Sequence, residues 1–273
     1  MFGSQTEIVN FSLYSLIPIV LIMYYVYRRD RFPEPPRVVL ITFLLGVATI
    51  FPISILIPVV EGFAENLDLS GESIYFYQAF IRAAFLEETA KWLVLILFCV
   101  KAVEFDEPMD ALVYGVAVSL GFAAFENWEY IMSAAYDDEL AIASEIAWGR
   151  AFTAVPLHAL AGVFMGFFLI KAIFNSAYKK INIFLSLFFP ICLHGFYNEI
   201  LMSPNFSSWW IYPLLIVMFI RAMFVFRKER SKQEQKLFES EIKTNQITTS
   251  NMILSITVSL MILLIIVFLL NID

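Results

Sequence analysis

Repeated apolar runs, each long enough to cross a lipid bilayer, limit this chain to a very small set of folds. They fall at about 11–27, 37–60, 74–100, 109–134, 146–171, 181–202, 209–227 and 252–270. About 20 helical residues at a 1.5 Å rise span the ~30 Å hydrocarbon core. In lipid the chain must satisfy its own backbone N–H and C=O groups, and runs this long and continuous do so as helices. Composition agrees, with 60% hydrophobic and 16% charged residues, where soluble domains carry about 25% charge. The expected fold is an all-α polytopic membrane protein, a bundle of about eight transmembrane helices. We read residues 1–273 as one integral membrane domain with its core at 28–202, and with spans seven and eight and the 227–250 segment peripheral. Membrane lipid is an expected partner and nucleic acid is not. Cys99 and Cys192 both lie in apolar runs, so a disulfide scaffold is not expected.

Basic residues orient the bundle, because Lys and Arg collect in cytoplasmic loops. Arg28, Arg29, Arg31 and Arg37 flank the first loop, Lys101 the third, and Lys171, Lys179 and Lys180 the fifth. The 227–250 segment adds Arg227, Lys228, Arg230, Lys232, Lys236 and Lys243. The alternate loops, near 61–73, 135–145 and 203–208, hold no basic residue; the first two carry acids, among them Glu61, Asp68, Asp137 and Asp138. Eight spans with both termini outside fit every loop. The first run has no basic residue before it and arginines after it, so it is expected to be a retained span and not a cleaved signal.

Against this background the polar residues inside the spans stand out. Span three contains Phe85-Leu86-Glu87-Glu88-Thr89-Ala90-Lys91-Trp92. Each such charge costs about 2.5–3.5 kcal/mol at a helix centre on insertion scales. Lys91 follows Glu87 by four residues and is expected to pair with it; Glu88 points elsewhere and has no such local partner. Span four carries Glu126 and Asn127, span five Arg150 and His158, and span six His194, Asn198 and Glu199. Gly162 and Gly166 follow His158 on one face, so a neighbouring helix can approach closely below the imidazole. The only two histidines of the chain therefore both lie within membrane spans. Counted at 1.5 Å per residue from the inner ends, Glu87, His158 and His194 sit at ~20 Å and Glu126 at ~25 Å. Four groups on four successive spans share one layer, which places the candidate site between spans three and six.

Imidazole and carboxylate are suited to Zn²⁺, and catalytic zinc sites use three protein ligands with a fourth position for water. His158, His194 and Glu126 are the expected ligands. Glu87 and Glu88 are then left as general base and acid, with Asn198 or Arg150 to stabilise a tetrahedral oxyanion. No serine or cysteine has an evident histidine–acid partner. A proton- or ion-coupled transporter would also use intramembrane Glu, His, Lys and Arg at one depth, although the halves show no evident inverted repeat. A non-catalytic assembly or sensor protein is the third reading.

Several short motifs in order resemble the PrsW intramembrane proteases, which are related to the CAAX-processing and bacteriocin-processing membrane proteases. They are Arg29-Asp30-Arg31-Phe32-Pro33-Glu34-Pro35-Pro36, Glu87-Glu88-Thr89-Ala90-Lys91 and Asp106-Glu107-Pro108-Met109-Asp110. Gly121-Phe122-Ala123-Ala124-Phe125-Glu126-Asn127, Pro156-Leu157-His158-Ala159 and His194-Gly195-Phe196-Tyr197-Asn198 follow. The resemblance covers residues 28–200 or so. It implies a bacterial-type plasma membrane and cleavage of a single-pass membrane protein near the outer face, as in anti-sigma-factor processing. It also implies catalytic roles for Glu87, Glu88, Glu126, His158 and His194. In the wider group the second motif more often ends in histidine, where this chain has Glu126.

Overall fold

In a computed structural model the chain is described over residues 5–136, 140–175, 178–236 and 247–271. Each of the eight apolar runs coincides with helix. The first is α1 (Gln5–Arg29). The second holds α2 (Pro36–Ala48) and α3 (Ile50–Asn66), and residues 72–99 form one continuous helix, α4. Then come α5 (Pro108–Tyr136), α6 (Leu140–Phe152), α7 (Ala154–Ile173), α8 (Lys179–Met202), α9 (Ile211–Lys236) and α10 (Thr249–Leu270). Six stretches among the described residues are long and apolar enough to cross a membrane: Pro36–Asn66, Pro108–Ala135, Ile142–Ile173, Lys179–Met202, Ser208–Gln233 and Thr249–Leu270. The protein is thus an all-α multi-pass membrane protein. The runs at 11–27 and 74–100 are helical without joining those six, and the second carries Arg82, Glu87, Glu88 and Lys91.

Local chemistry sets the helix ends. Pro36 opens α2 from its first turn, where its missing N–H is no loss. Two expected spans are each two helices. Thr49 separates α2 from α3, its hydroxyl donating to the Gly46 carbonyl at 2.6 Å. Thr153, at φ −125° and ψ −67°, separates α6 from α7 while its hydroxyl donates to the Gly149 carbonyl at 2.7 Å. The acids Asp137, Asp138 and Glu139 and the basic Lys243 lie outside the described residues.

Helix α5 is the axis of the bundle, with 89% of its apolar stretch buried, whereas α9 and α10 bury 22% of theirs and form the rim. Glycine lets the axis touch its neighbours backbone to backbone. A methyl added at Gly115 of α5 would land on the Gly162 carbonyl of α7, and one at Gly166 on the Ala111 carbonyl of α5. On the other side of α5, Gly46 of α2 meets Val118 and Gly121 meets Phe43, again at backbone carbonyls. Small residues that permit such approach are the usual cement of helices in lipid, where apolar burial gives little drive to associate. On α8, Gly195 faces the Phe80 ring of α4.

The backbone contacts hold α2, α5 and α7 in fixed register, which a bulky residue would break. We expect Gly115→Val to destabilise the detergent-solubilised protein by about 1–3 kcal/mol or more through overpacking. Gly62→Ala, where an added Cβ meets nothing within 4 Å, should leave thermal unfolding unchanged. Equal melting of the two variants would remove the glycine seam as the register device.

Candidate active site

Helix α4 changes pitch around its acids. It is π-helical over Tyr77–Phe85, α-helical over Leu86–Val94 and π-helical again over Leu95–Cys99. Wide turns of this kind recur at functional sites. Here they bracket the short α-helical piece that carries Glu87, Glu88 and Lys91, and they alter which side chains share a face.

Lys91 is fully buried, and its partners differ from the expected pairing. Its ammonium donates to Glu88 Oε1 at 2.8 Å, whereas Glu87 Oε2 is 3.8 Å away. The i,i+3 spacing, and not the i,i+4 one, sets the closer pair, so Glu88 does have a local partner. Lys91 also contacts His158 Nδ1 at 3.0 Å and lies over the Phe122 ring, 4.0 Å from its centroid.

The layer expected from depth counting converges from four helices. His194 Nδ1 donates to Glu88 Oε1 at 2.9 Å and is 3.8 Å from Glu87 Oε2. His158 Nε2 donates to Glu126 Oε2 at 2.9 Å, and the two imidazoles meet edge to face with centroids 5.0 Å apart. From α6, Arg150 forks onto two neighbouring side chains, reaching Glu126 Oε2 at 2.5 Å and Asn127 Oδ1 at 2.7 Å, and stacks on Tyr130 at 4.2 Å. Asn198 is half-buried one turn past His194, and no described hydrogen bond ties it to this network. A hydroxyl pair not anticipated from the sequence, Thr153 and Tyr197 at 2.8 Å, links the head of α7 to α8.

Charge-assisted bonds of this kind, in buried surroundings of low dielectric, are worth more than their surface counterparts and more costly to leave incomplete. Three atoms of the network remain incomplete. Glu87 Oε2, Glu88 Oε2 and Asn127 Nδ2 are buried without a hydrogen-bond partner among the described residues. One ligand atom each from Glu87, His158 and His194 lies within 4.8 Å of the others. Two imidazoles and a carboxylate with an unpartnered oxygen fit a small divalent cation. Each imidazole gives one nitrogen to a carboxylate, His194 Nδ1 to Glu88 and His158 Nε2 to Glu126, the arrangement that orients metal-binding histidines, while His158 Nδ1 faces the Lys91 ammonium. Glu126, a ligand by the sequence reading, is instead bound to Arg150 and His158 and lies outside this compact set.

The chain matches known proteins over this same region. Residues 34–226 match the PrsW family of intramembrane metalloproteases. The protease PrsW of Bacillus subtilis is 36% identical over 226 residues, 82% of this chain and 96% of that protein. Its counterpart in Geobacillus kaustophilus is 38% identical over 198 residues, covering 71% of this chain and 82% of the relative. That of Clostridioides difficile is 32% identical over 208 residues, 75% and 83% of the two chains. No solved structure shows a significant match.

The Arg150 fork predicts a specific energetic pattern. Arg150→Met should destabilise the fold by about 3–5 kcal/mol, the usual effect of removing one partner of a buried ion pair. Adding Glu126→Gln should restore part of that loss, because no carboxylate is then left uncompensated. Additive losses in thermal unfolding of the two single variants and the double would show that the pair is not coupled.

Proposed function

The chain belongs to the PrsW family of intramembrane metalloproteases, and on that premise we propose that it hydrolyses a peptide bond of a membrane-anchored protein near the extracytoplasmic face. The observation that carries this reading is the convergence of Glu87, Glu88, Glu126, His158 and His194 in one buried network. A single-pass membrane protein of the anti-sigma-factor kind is the substrate class we assign. The depth of the network and the basic loops at the opposite end support an outer position, in the orientation with both termini outside.

In this reading His158, His194 and Glu87 would hold the family's metal, which we take to be Zn²⁺ from its nitrogen and carboxylate donors. A bound Zn²⁺ supplies a Lewis acid and brings the pKa of a water to about 7. Glu88 accepts the proton of the attacking water on Oε2, the oxygen that no neighbour occupies, and returns it to the leaving amine. Its other oxygen stays fixed by Lys91 and His194. Glu126 exchanges the ligand role for that of orienting His158, and Arg150 holds Glu126 in place. We assign the oxyanion contact to Asn198, since Arg150 is committed elsewhere.

Cleavage of a model single-pass substrate, measured together with metal content, tests these roles. Glu88→Gln should fold, keep its metal and cleave about 10²–10⁴-fold more slowly. Glu87→Gln should lose metal and activity together. If Glu88 served only as the counter-ion of Lys91, a Glu88→Gln, Lys91→Met double variant would regain activity; we expect it to stay inactive. Full cleavage by a Glu87→Gln, Glu88→Gln protein would end the glutamate mechanism. An active wild type free of metal would discard the zinc and return the role of base to Glu87.

Orientation is testable separately. A cysteine at Glu65, exposed in the last turn of α3, should react with an impermeant reagent from outside, and one at Val103, 94% exposed after α4, only from inside. Labelling of both from the same side would overturn the assignment.

A further inference from the structure

A second buried acidic cluster lies at the other end of the bundle, and none of the chemistry above uses it. It gathers Asp30 and Glu34 from the segment between α1 and α2 with Glu107 and Asp110 at the start of α5, all 7% exposed or less. Asp110 and Glu126 share helix α5, and the 16 residues between them put this cluster roughly 24 Å from the protease site. One ligand oxygen each from Asp30, Glu107 and Asp110 lies within 4.8 Å of the others.

Hydrogen bonding accounts for only half of each aspartate. Asp30 Oδ1 accepts from the Phe32 N–H at 2.9 Å and from the Gln233 amide at 2.7 Å, while Oδ2 is buried with no partner. Asp110 Oδ2 accepts the N–H groups of Asp106 and Glu107 at 2.9 and 2.7 Å, while Oδ1 is buried with no partner. The Gln233 amide, from the far end of α9, also donates to Glu107. A further observation comes from outside the acids. Tyr114 is fully buried one turn along α5, directed at Glu34 and Asp110, and its hydroxyl closes no hydrogen bond. Asp30 Oδ2, Asp110 Oδ1 and the Tyr114 hydroxyl are thus enclosed beside Glu34 and Glu107 without a hydrogen bond of full geometry among the described residues, and leaving such groups unmade is costly.

We propose that this cluster is a binding site for a hard divalent cation of the Ca²⁺, Mn²⁺ and Mg²⁺ class, held by Asp30, Glu107 and Asp110. Every donor is oxygen, and there is no imidazole or thiolate in the set, which selects hard cations over zinc. The spacing lies within the roughly 4.6–5.2 Å that oxygens on opposite sides of a Ca²⁺ span at 2.3–2.6 Å each. An ion here ties the first loop, the start of the axial helix and the end of α9 together, because Gln233 bonds two of its ligands. The site is independent of the proteolytic reading.

Calcium, manganese and magnesium chlorides titrated into chelator-stripped full-length protein in detergent test it, with thermal unfolding and calorimetric binding as readouts. Wild type should bind one ion and unfold at a higher temperature. Asp30→Asn should weaken that binding by at least about tenfold, the smaller end of what even a supporting residue contributes at metal sites. Asp110→Asn can still accept both backbone N–H groups on its amide oxygen; it should fold without added ion and lose the thermal response. Glu87→Gln should keep both binding and response, which separates this site from the proteolytic cluster. No uptake of any of the three ions by wild type would overturn the proposal. So would uptake unchanged in Asp30→Asn, or uptake abolished by Glu87→Gln.

Discussion

A fully buried ammonium, that of Lys91, organises the polar interior of this bundle. It cannot reach water, so it must be matched where it stands, and the structure surrounds it on every accessible side. Glu88 and His158 lie at 2.8 and 3.0 Å, Glu87 at 3.8 Å, and the Phe122 face at 4.0 Å. These partners come from three helices, so the charge fixes their relative placement as well as its own neutralisation. Arg150 does the same one shell out, joining α6 to α5 through Glu126 and Asn127. Counting fixed charges, three carboxylates (Glu87, Glu88, Glu126) face two cations (Lys91, Arg150). The excess is one negative charge in a region that solvates charge poorly. Such a cluster favours a guest that is a cation or a proton, which is the electrostatic condition a hydrolytic centre needs.

The apolar frame explains why this matching is possible. Backbone contacts between Gly115 and Gly162 and between Gly166 and Ala111 hold α5 against α7 directly below His158. The same helix presents Gly121 to α2 on its other side. Had these positions carried larger side chains, the helices would separate by more than the 2.5–3 Å bonds of the polar network tolerate. Packing in lipid supplies closeness, and the ionic network supplies specificity; neither alone sets the register.

Much of this is legible in the sequence because bilayer thickness converts residue number into depth. That conversion aligns Glu87, Glu126, His158 and His194 from residue counts alone, and the steps from His158 to Gly162 and Gly166 imply a close neighbour. Depth carries no azimuth, however, and the pairing of Lys91 depends on azimuth. The π-helical turns on either side of Leu86–Val94 are invisible to a reading with one fixed pitch. The breaks at Thr49 and Thr153 are hidden for a related reason, since threonine is ordinary within an apolar run. The Arg150 fork and the Thr153–Tyr197 pair join residues distant in sequence. Asp30, Glu107 and Asp110 lie in motifs of the family resemblance, but their burial beside Gln233 is not legible there, because acids beside membrane spans ordinarily face solvent and only the folded bundle shows these to be buried.

The network has an enclosed side and an accessible side, and this asymmetry constrains how it is used. Glu88 and Lys91 are wholly enclosed, and His158 and His194 retain 2% and 3% of their side-chain surface. Glu87, Glu126 and Arg150 retain 12, 13 and 15%. These three form the accessible edge of the cluster, where α4, α5 and α6 meet. The half-buried groups are the ones that a guest touches first, and the enclosed ones determine where those groups stand. Substitutions that change the size of an enclosed side chain should then disturb folding and catalysis together, whereas an isosteric exchange such as Glu88→Gln keeps the packing and reports on the chemistry. The break at Thr153 lies beside this edge, joined to α8 through Tyr197. The N–H and carbonyl of Thr153 itself stay engaged, with the Arg150 carbonyl and the Leu157 N–H. The chain therefore turns beside the cluster without leaving this residue's backbone unpaired, as a helix end within lipid requires.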